Sequence, residues 1–125
     1  MLMLPSSVRI YLSTTTTDMR RGFDGLAALV TASGFDVFSG HLFVFLSRSR
    51  DRAKILAWDR GGYVLWSKRL ERGRFKLPAF EAGARTVMLD GAQLAMLLDG
   101  IDVSQVRRSK PWTPTKRPVD TTPRM

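Results

Sequence analysis

Residues 48–78, RSRDRAKILAWDRGGYVLWSKRLERGRFKLP, decide how the rest of this 125-residue chain is read. Two strand-forming runs, AKILAWD and YVLWSKRL, flank Asp59-Arg60-Gly61-Gly62. That connection marks a tight hairpin, because glycine tolerates the positive φ such turns require. Pairing about the turn sets Trp58 opposite Tyr63, Leu56 opposite Leu65 and Ile55 opposite Trp66. Alternation then sorts Ile55, Ala57, Val64 and Trp66 onto one face and Leu56, Trp58, Tyr63 and Leu65 onto the other. Both faces are apolar and both want cover. Helices can cover one; the other must meet a second layer, a partner or bases.

Working outward, HLFVFLS (41–47) reads as a compact apolar strand, VRIYLS (8–13) as a first strand and TVML (86–89) as a short later one. In DMRRGFDGLAALV (18–30), Met19, Phe23, Leu26 and Val30 recur at the spacing of an amphipathic helix. A threonine of the STTTT run (13–17) or Asp18 should cap it. Gly22 and Gly25 are expected to let that helix approach a sheet or another backbone closely. Asp90 with Gln93 forms a capping-box pattern ahead of a helix carrying Leu94, Leu97 and Leu98 on one face, with Gly100 as its stop.

The order is strand, helix, three or four consecutive strands, helix. It predicts a single small α+β domain over residues 1–104. Its antiparallel β-sheet has about four to five strands with two helices packed on it. Residues 105–125 hold four of the six prolines and read as a flexible basic Pro/Thr-rich tail.

The net charge is +9, and its distribution is uneven. Residues 1–47 sum to zero, 48–76 hold ten basics against three acids, 77–106 sum to −3, and 107–125 hold six basics against one acid. Clustered positive charge is the electrostatic footprint of a polyanion binder. Arginines ringing a group of aromatics are also what single-stranded nucleic-acid binders use.

Enzyme chemistry finds little support. There is no cysteine, which removes thiol catalysis and thiolate metal sites. His41 is the only histidine and leads an apolar strand. Nucleotidyl transfer needs carboxylates converging on metal ions. Among the candidates Asp24, Asp59, Asp90, Asp99 and Asp102, Asp59 sits at a turn, Asp90 at a cap and Asp99 at a helix end. No enzyme activity, cofactor, metal or small-molecule substrate is therefore expected. The amino-terminal apolar run is too short for a signal segment, and LFVFL (42–46) is too short to span a bilayer. The expected location is the bacterial cytoplasm, at the nucleoid, with no membrane partner.

LPSSVRIYL, TDMRRGFDGLAALV, the long GHLFVFLSRSRDRAKILAWDRGGYVLWSKRLERGRFKLP and LLDGID together resemble the TnpB accessory (Orf2-like) protein of the bacterial insertion-sequence family numbered sixty-six. That protein is distinct from the RNA-guided nuclease sharing the name. The resemblance covers about residues 2–103. It implies a role in transposition beside a separate transposase and another small reading frame, and it carries over no catalytic residue. The partners it supplies are the DNA of the element's ends and the transposase.

The expected function is thus a non-catalytic accessory protein binding DNA through a basic hairpin surface. Arg48, Arg50, Arg52, Lys54, Arg60, Lys68, Arg69, Arg72, Arg74 and Lys76 would meet phosphates. Trp58, Tyr63 and Trp66 are candidates for base contact, and Arg107, Arg108 and Lys110 add affinity from the tail. The cations are expected on a single exposed surface. The alternative is a protein–protein adaptor, in which the spare apolar face docks on the transposase or on a second copy as a homodimer.

Overall fold

The computed structural model describes residues 7–100. Its centre is the hairpin of β3 (Arg52–Asp59) and β4 (Gly62–Arg69). The register runs from Asp59↔Gly62 through Trp58↔Tyr63, Leu56↔Leu65 and Ile55↔Trp66 to Arg52↔Arg69, as turn and alternation predict. Arg60 and Gly61 both take positive φ, 47° and 84°, the signature of a two-residue type I′ turn.

β2 (Leu42–Leu46) lies on the other side of β3 and pairs with it antiparallel. All five of its residues are buried, so the strand reads as a continuous apolar run instead of an alternating one. β1 (Ile10–Ser13) lies next to β2, and β5 (Thr86–Leu89) closes the far edge against β1. The strand order is β4-β3-β2-β1-β5. Three of the four pairings are antiparallel; β1 and β2 run parallel. The reason is the crossover. α1 (Phe23–Ala32) occupies the connection between β1 and β2, and a strand that returns through a helix re-enters the sheet in the same direction.

The two helices take opposite faces of the sheet. α1 covers Tyr11, Phe43, Phe45, Leu56, Tyr63 and Leu65 with Leu26, Ala27 and Val30. α2 (Gly91–Leu98) covers Ile10, Leu12, Val44, Leu46, Ala53 and Ile55 with Leu94, Leu97 and Leu98. Neither sheet face is left as a whole for a partner. Phe75, from the β4–β5 connection, is fully buried in the α2-side core, where its N–H donates to the Arg50 carbonyl.

α2 starts as its sequence says. The Gln93 N–H donates to Asp90 Oδ1 at 2.7 Å and the Asp90 N–H donates to Gln93 Oε1 at 2.9 Å. Gly100 ends it with φ 78° and an N–H directed to the Leu97 carbonyl. α1 starts later than its apolar stripe suggests. Its N-cap is Gly22, which has no side chain to cap with, and Asp18 organises the preceding turn instead, accepting from the Arg20 N–H at 2.9 Å. The two glycines also serve differently from expectation. A Cβ on Gly22 would meet open space, and one on Gly25 would meet only the aliphatic stem of Arg21, so neither marks a close approach to the sheet.

Candidate nucleic-acid interface

The ten cations of residues 48–76 divide between two ends and two faces of the sheet. Along β3, Arg52, Lys54, Leu56 and Trp58 face α1, while Ala53, Ile55 and Ala57 face α2. Register then places Arg69, Ser67, Leu65 and Tyr63 of β4 on the α1 side and Lys68, Trp66 and Val64 on the α2 side.

Lys54 and Lys68 have structural partners. The Lys54 ammonium donates to the carbonyls of Met19 and Arg21 at 2.8 and 2.9 Å, holding the loop that leads into α1. The Lys68 ammonium donates to the Leu98 carbonyl at 2.7 Å, at the C-terminal end of α2. There a cation also meets the negative end of the helix dipole. Both ammoniums satisfy carbonyls that regular structure leaves without a donor.

Arginines gather where β2 turns into β3. One open groove is lined by Asp18, Met19, Arg20, Arg48, Asp51 and Arg52. A second, sharing Met19 and Arg52 with it, is lined by Lys54, Ser67, Arg69 and Glu71. Arg52 and Arg69 are directly opposed in register, an arrangement of like charges that by itself disfavours the pairing. Two ion pairs moderate the field: Arg69 Nε to Glu71 Oε2 at 3.2 Å, and Arg20 Nη2 to Asp18 Oδ2 at 2.7 Å. Asp18 is pulled from 3.8 down to about 2, first by the Arg20 side-chain hydrogen bond and then by the Arg20 backbone N–H. Asp51 is held below the usual carboxylate range mainly by the Ser49 hydroxyl, with Ser47 adding to it. It forms no ion pair among the described residues, though the charge of neighbouring Arg52 also lowers it, so Asp51 offsets part of the positive field around Arg48 and Arg52.

Arg48, Arg52 and Arg69 are thus brought together, and Arg20 joins them. The helical spacing from Met19 puts Arg20 inside a helix and does not nominate it; the signal available is the tight turn at Asp18. Arg60 stands at the opposite tip of the hairpin, and Arg72, Arg74 and Lys76 are exposed along the β4–β5 connection. Arg107, Arg108 and Lys110, with the rest of the predicted tail, lie outside the described residues.

The aromatics also separate. Trp58 and Tyr63 meet edge to face at 5.0 Å. Phe38 packs against Trp58 at 4.9 Å and Phe23 stacks over Tyr63 at 6.4 Å. The exposed rings of this cluster are Phe38 (58%) and Phe23 (47%), which sequence reading did not nominate. Trp66 sits on the other face beside Val64, both partly exposed on edge strand β4.

Among the candidate enzyme residues, His41, Asp59, Asp90 and Asp99 have structural places, and Asp102 lies outside the described residues. His41 Nδ1 accepts from the Arg9 N–H at 3.0 Å. Asp59 pairs with Gly62 at the hairpin tip, Asp90 caps α2 and Asp99 ends it, while Asp24 lies in the first turn of α1. Among the described residues no three His, Cys, Asp or Glu side chains converge to hold a metal ion, and no helix is long and apolar enough to cross a membrane.

Comparison with known proteins places these features in a family. The model of the IS66 Orf2-like protein family matches residues 8–108. Two proteins of Sinorhizobium fredii (strain NBRC 101917 / NGR234) are similar along nearly their whole lengths. The protein named "Uncharacterized protein y4hO" is 43% identical over 117 residues, 91% of this chain and 98% of that one. "Uncharacterized protein y4jC" is 36% identical over 110 residues, 87% of this chain and 92% of that one. No solved structure matches the chain. The chain belongs to the IS66 Orf2-like family, and with it to the transposition-related accessory proteins of that insertion sequence.

Proposed function

We propose that this protein is a non-catalytic accessory factor that binds the DNA of the insertion element's ends through phosphate contacts, in the bacterial cytoplasm at the nucleoid. The observation that carries the reading is the arginine-lined end of the sheet. There Arg20, Arg48, Arg52 and Arg69 border two adjoining open grooves, Arg20 and Arg69 each paired with a carboxylate, and Arg48 and Arg52 without an ion pair among the described residues. Such contacts position a protein on a duplex and carry no direct sequence information. α1 and α2 are both packed on the sheet, which leaves the exposed arginines as the principal contacts and makes sequence preference weak. Arg72, Arg74, Lys76, Arg107, Arg108 and Lys110 extend the same attraction. About six phosphate contacts give a log–log salt slope near −5. Binding to duplex DNA measured across salt tests this; a flat plot removes it.

A second reading is an adaptor that docks on the transposase or on another copy of the chain. It is favoured by Val64 and Trp66, exposed side by side on an edge strand, and by exposed Phe23 and Phe38. Charge reversal at Arg48, Arg50 and Arg52 separates the two. Loss of DNA affinity with transposase capture intact supports phosphate binding. Loss of capture with DNA affinity unchanged supports the adaptor.

A further inference from the structure

Among the described residues, Arg50 (φ 60°) and Arg60 (φ 47°) are the non-glycine residues with positive φ. A side chain in this left-handed region crowds its own backbone, and glycine, or asparagine and aspartate, fill it more easily. Both arginines sit at hairpin tips. Arg60 is the first residue of the two-residue turn joining β3 to β4, a position that favours asparagine, aspartate or glycine. Arg50 lies in the connection from β2 to β3, where its N–H donates to the Ser47 carbonyl at 2.9 Å.

At Arg50 the backbone shape has a structural use. Its carbonyl accepts from the Phe75 N–H at 2.6 Å, which seats a fully buried ring. Glycine adopts that shape without strain, so the fold requires the conformation and not the guanidinium. The same holds for Arg60, whose turn is complete with backbone alone. Neither guanidinium is ion-paired among the described residues. An arginine standing at two separate positions that disfavour it calls for a use outside the fold.

Resting on the phosphate-binding reading, we infer that Arg50 and Arg60 each contact a phosphate, and that the bound polyanion therefore reaches both ends of β3. The eight residues of β3 span about 25 Å at ~3.3 Å per residue. That is about seven nucleotide steps of one strand of B-form DNA at ~3.4 Å each. A contact confined to the arginine-lined grooves would leave Arg60 idle. A polyanion laid along the hairpin engages it.

The test compares Arg50→Gly, Arg60→Gly and the double variant with Arg50→Lys and Arg60→Lys in the full chain. Two quantities are read: the urea midpoint without DNA, and the log–log salt slope of binding to a duplex. The glycine variants are expected to unfold at higher urea, and the slope to shrink by about one for each arginine replaced. The lysine variants should keep both properties near those of the unsubstituted protein. Glycine variants with an unchanged slope overturn the inference while leaving the groove reading intact. A lower urea midpoint in the glycine variants overturns it too, because the side chain then serves the fold. A flat slope in the unsubstituted protein overturns the phosphate reading, and this inference with it.

Discussion

The ammonium of Lys68 donates to the carbonyl of Leu98 at 2.7 Å, tying the edge strand β4 to the last turn of α2 across 30 residues of sequence. This bond joins an edge strand to the helix that lies on the same face of the sheet. Lys68→Met keeps the aliphatic stem and removes the donor. It should destabilise the domain by about 1–2 kcal/mol, as expected for a charged hydrogen bond at a helix C-terminus. Urea unfolding measures the loss. The salt slope of DNA binding should stay within error, which separates Lys68 from Arg48 and Arg52, where substitution should shrink it by about one each.

Phe75 is the largest fully buried side chain, and it comes from a connection rich in charge and turn residues. Phe75→Ala should cost about 3–5 kcal/mol, a large share of the stability of a domain this size. Loss of near-ultraviolet circular dichroism and of the cooperative thermal transition would register it. Phe75→Leu should retain most of the cooperativity.

The reciprocal bonds of Asp90 and Gln93 are a closed unit. Asp90→Ala should cost about 1 kcal/mol and fray the first turn of α2, raising amide exchange at residues 91–93. A double-mutant cycle with Gln93→Ala should show that the two losses are less than additive.

Asp18 offers a pH test. Its folded pKa of about 2 lies below the ordinary 3.8, so the Arg20 contact stabilises the fold above about pH 3.8 and is lost as pH falls through about 2. NMR titration of the Asp18 carboxyl should show the low midpoint. Arg20→Gln should return it towards 3.8. Because both groups are exposed, added salt should narrow the difference.

The hairpin was legible because its signals agree. Turn residues fix the loop, alternation fixes the faces, and the register from Asp59↔Gly62 to Arg52↔Arg69 follows without tertiary information. The Asp90 box was legible for the same reason, being local in sequence. The start of α1 was not. Met19 and Phe23 continue its apolar spacing, but Lys54 claims the carbonyls of Met19 and Arg21 from a strand more than 30 residues away, which helix periodicity cannot foresee. Phe75 has no periodic neighbours to announce it. The separation of the cations was within reach: an even interval along β3 and an odd offset on β4 already send Lys54 and Lys68 to opposite faces. What register could not supply was Arg20, which reaches the groove only because the 18–22 loop is not helical.

β1 lies between β2 and β5, and its outer partner begins only at residue 86. During synthesis, β2, β3 and β4 can zip up as each emerges, since their contacts are near neighbours along the chain. The first strand has to wait with one backbone edge open until translation has passed Leu89. A nascent chain stalled before that point carries an incomplete sheet, vulnerable to chaperone capture or strand exchange with a neighbouring polypeptide.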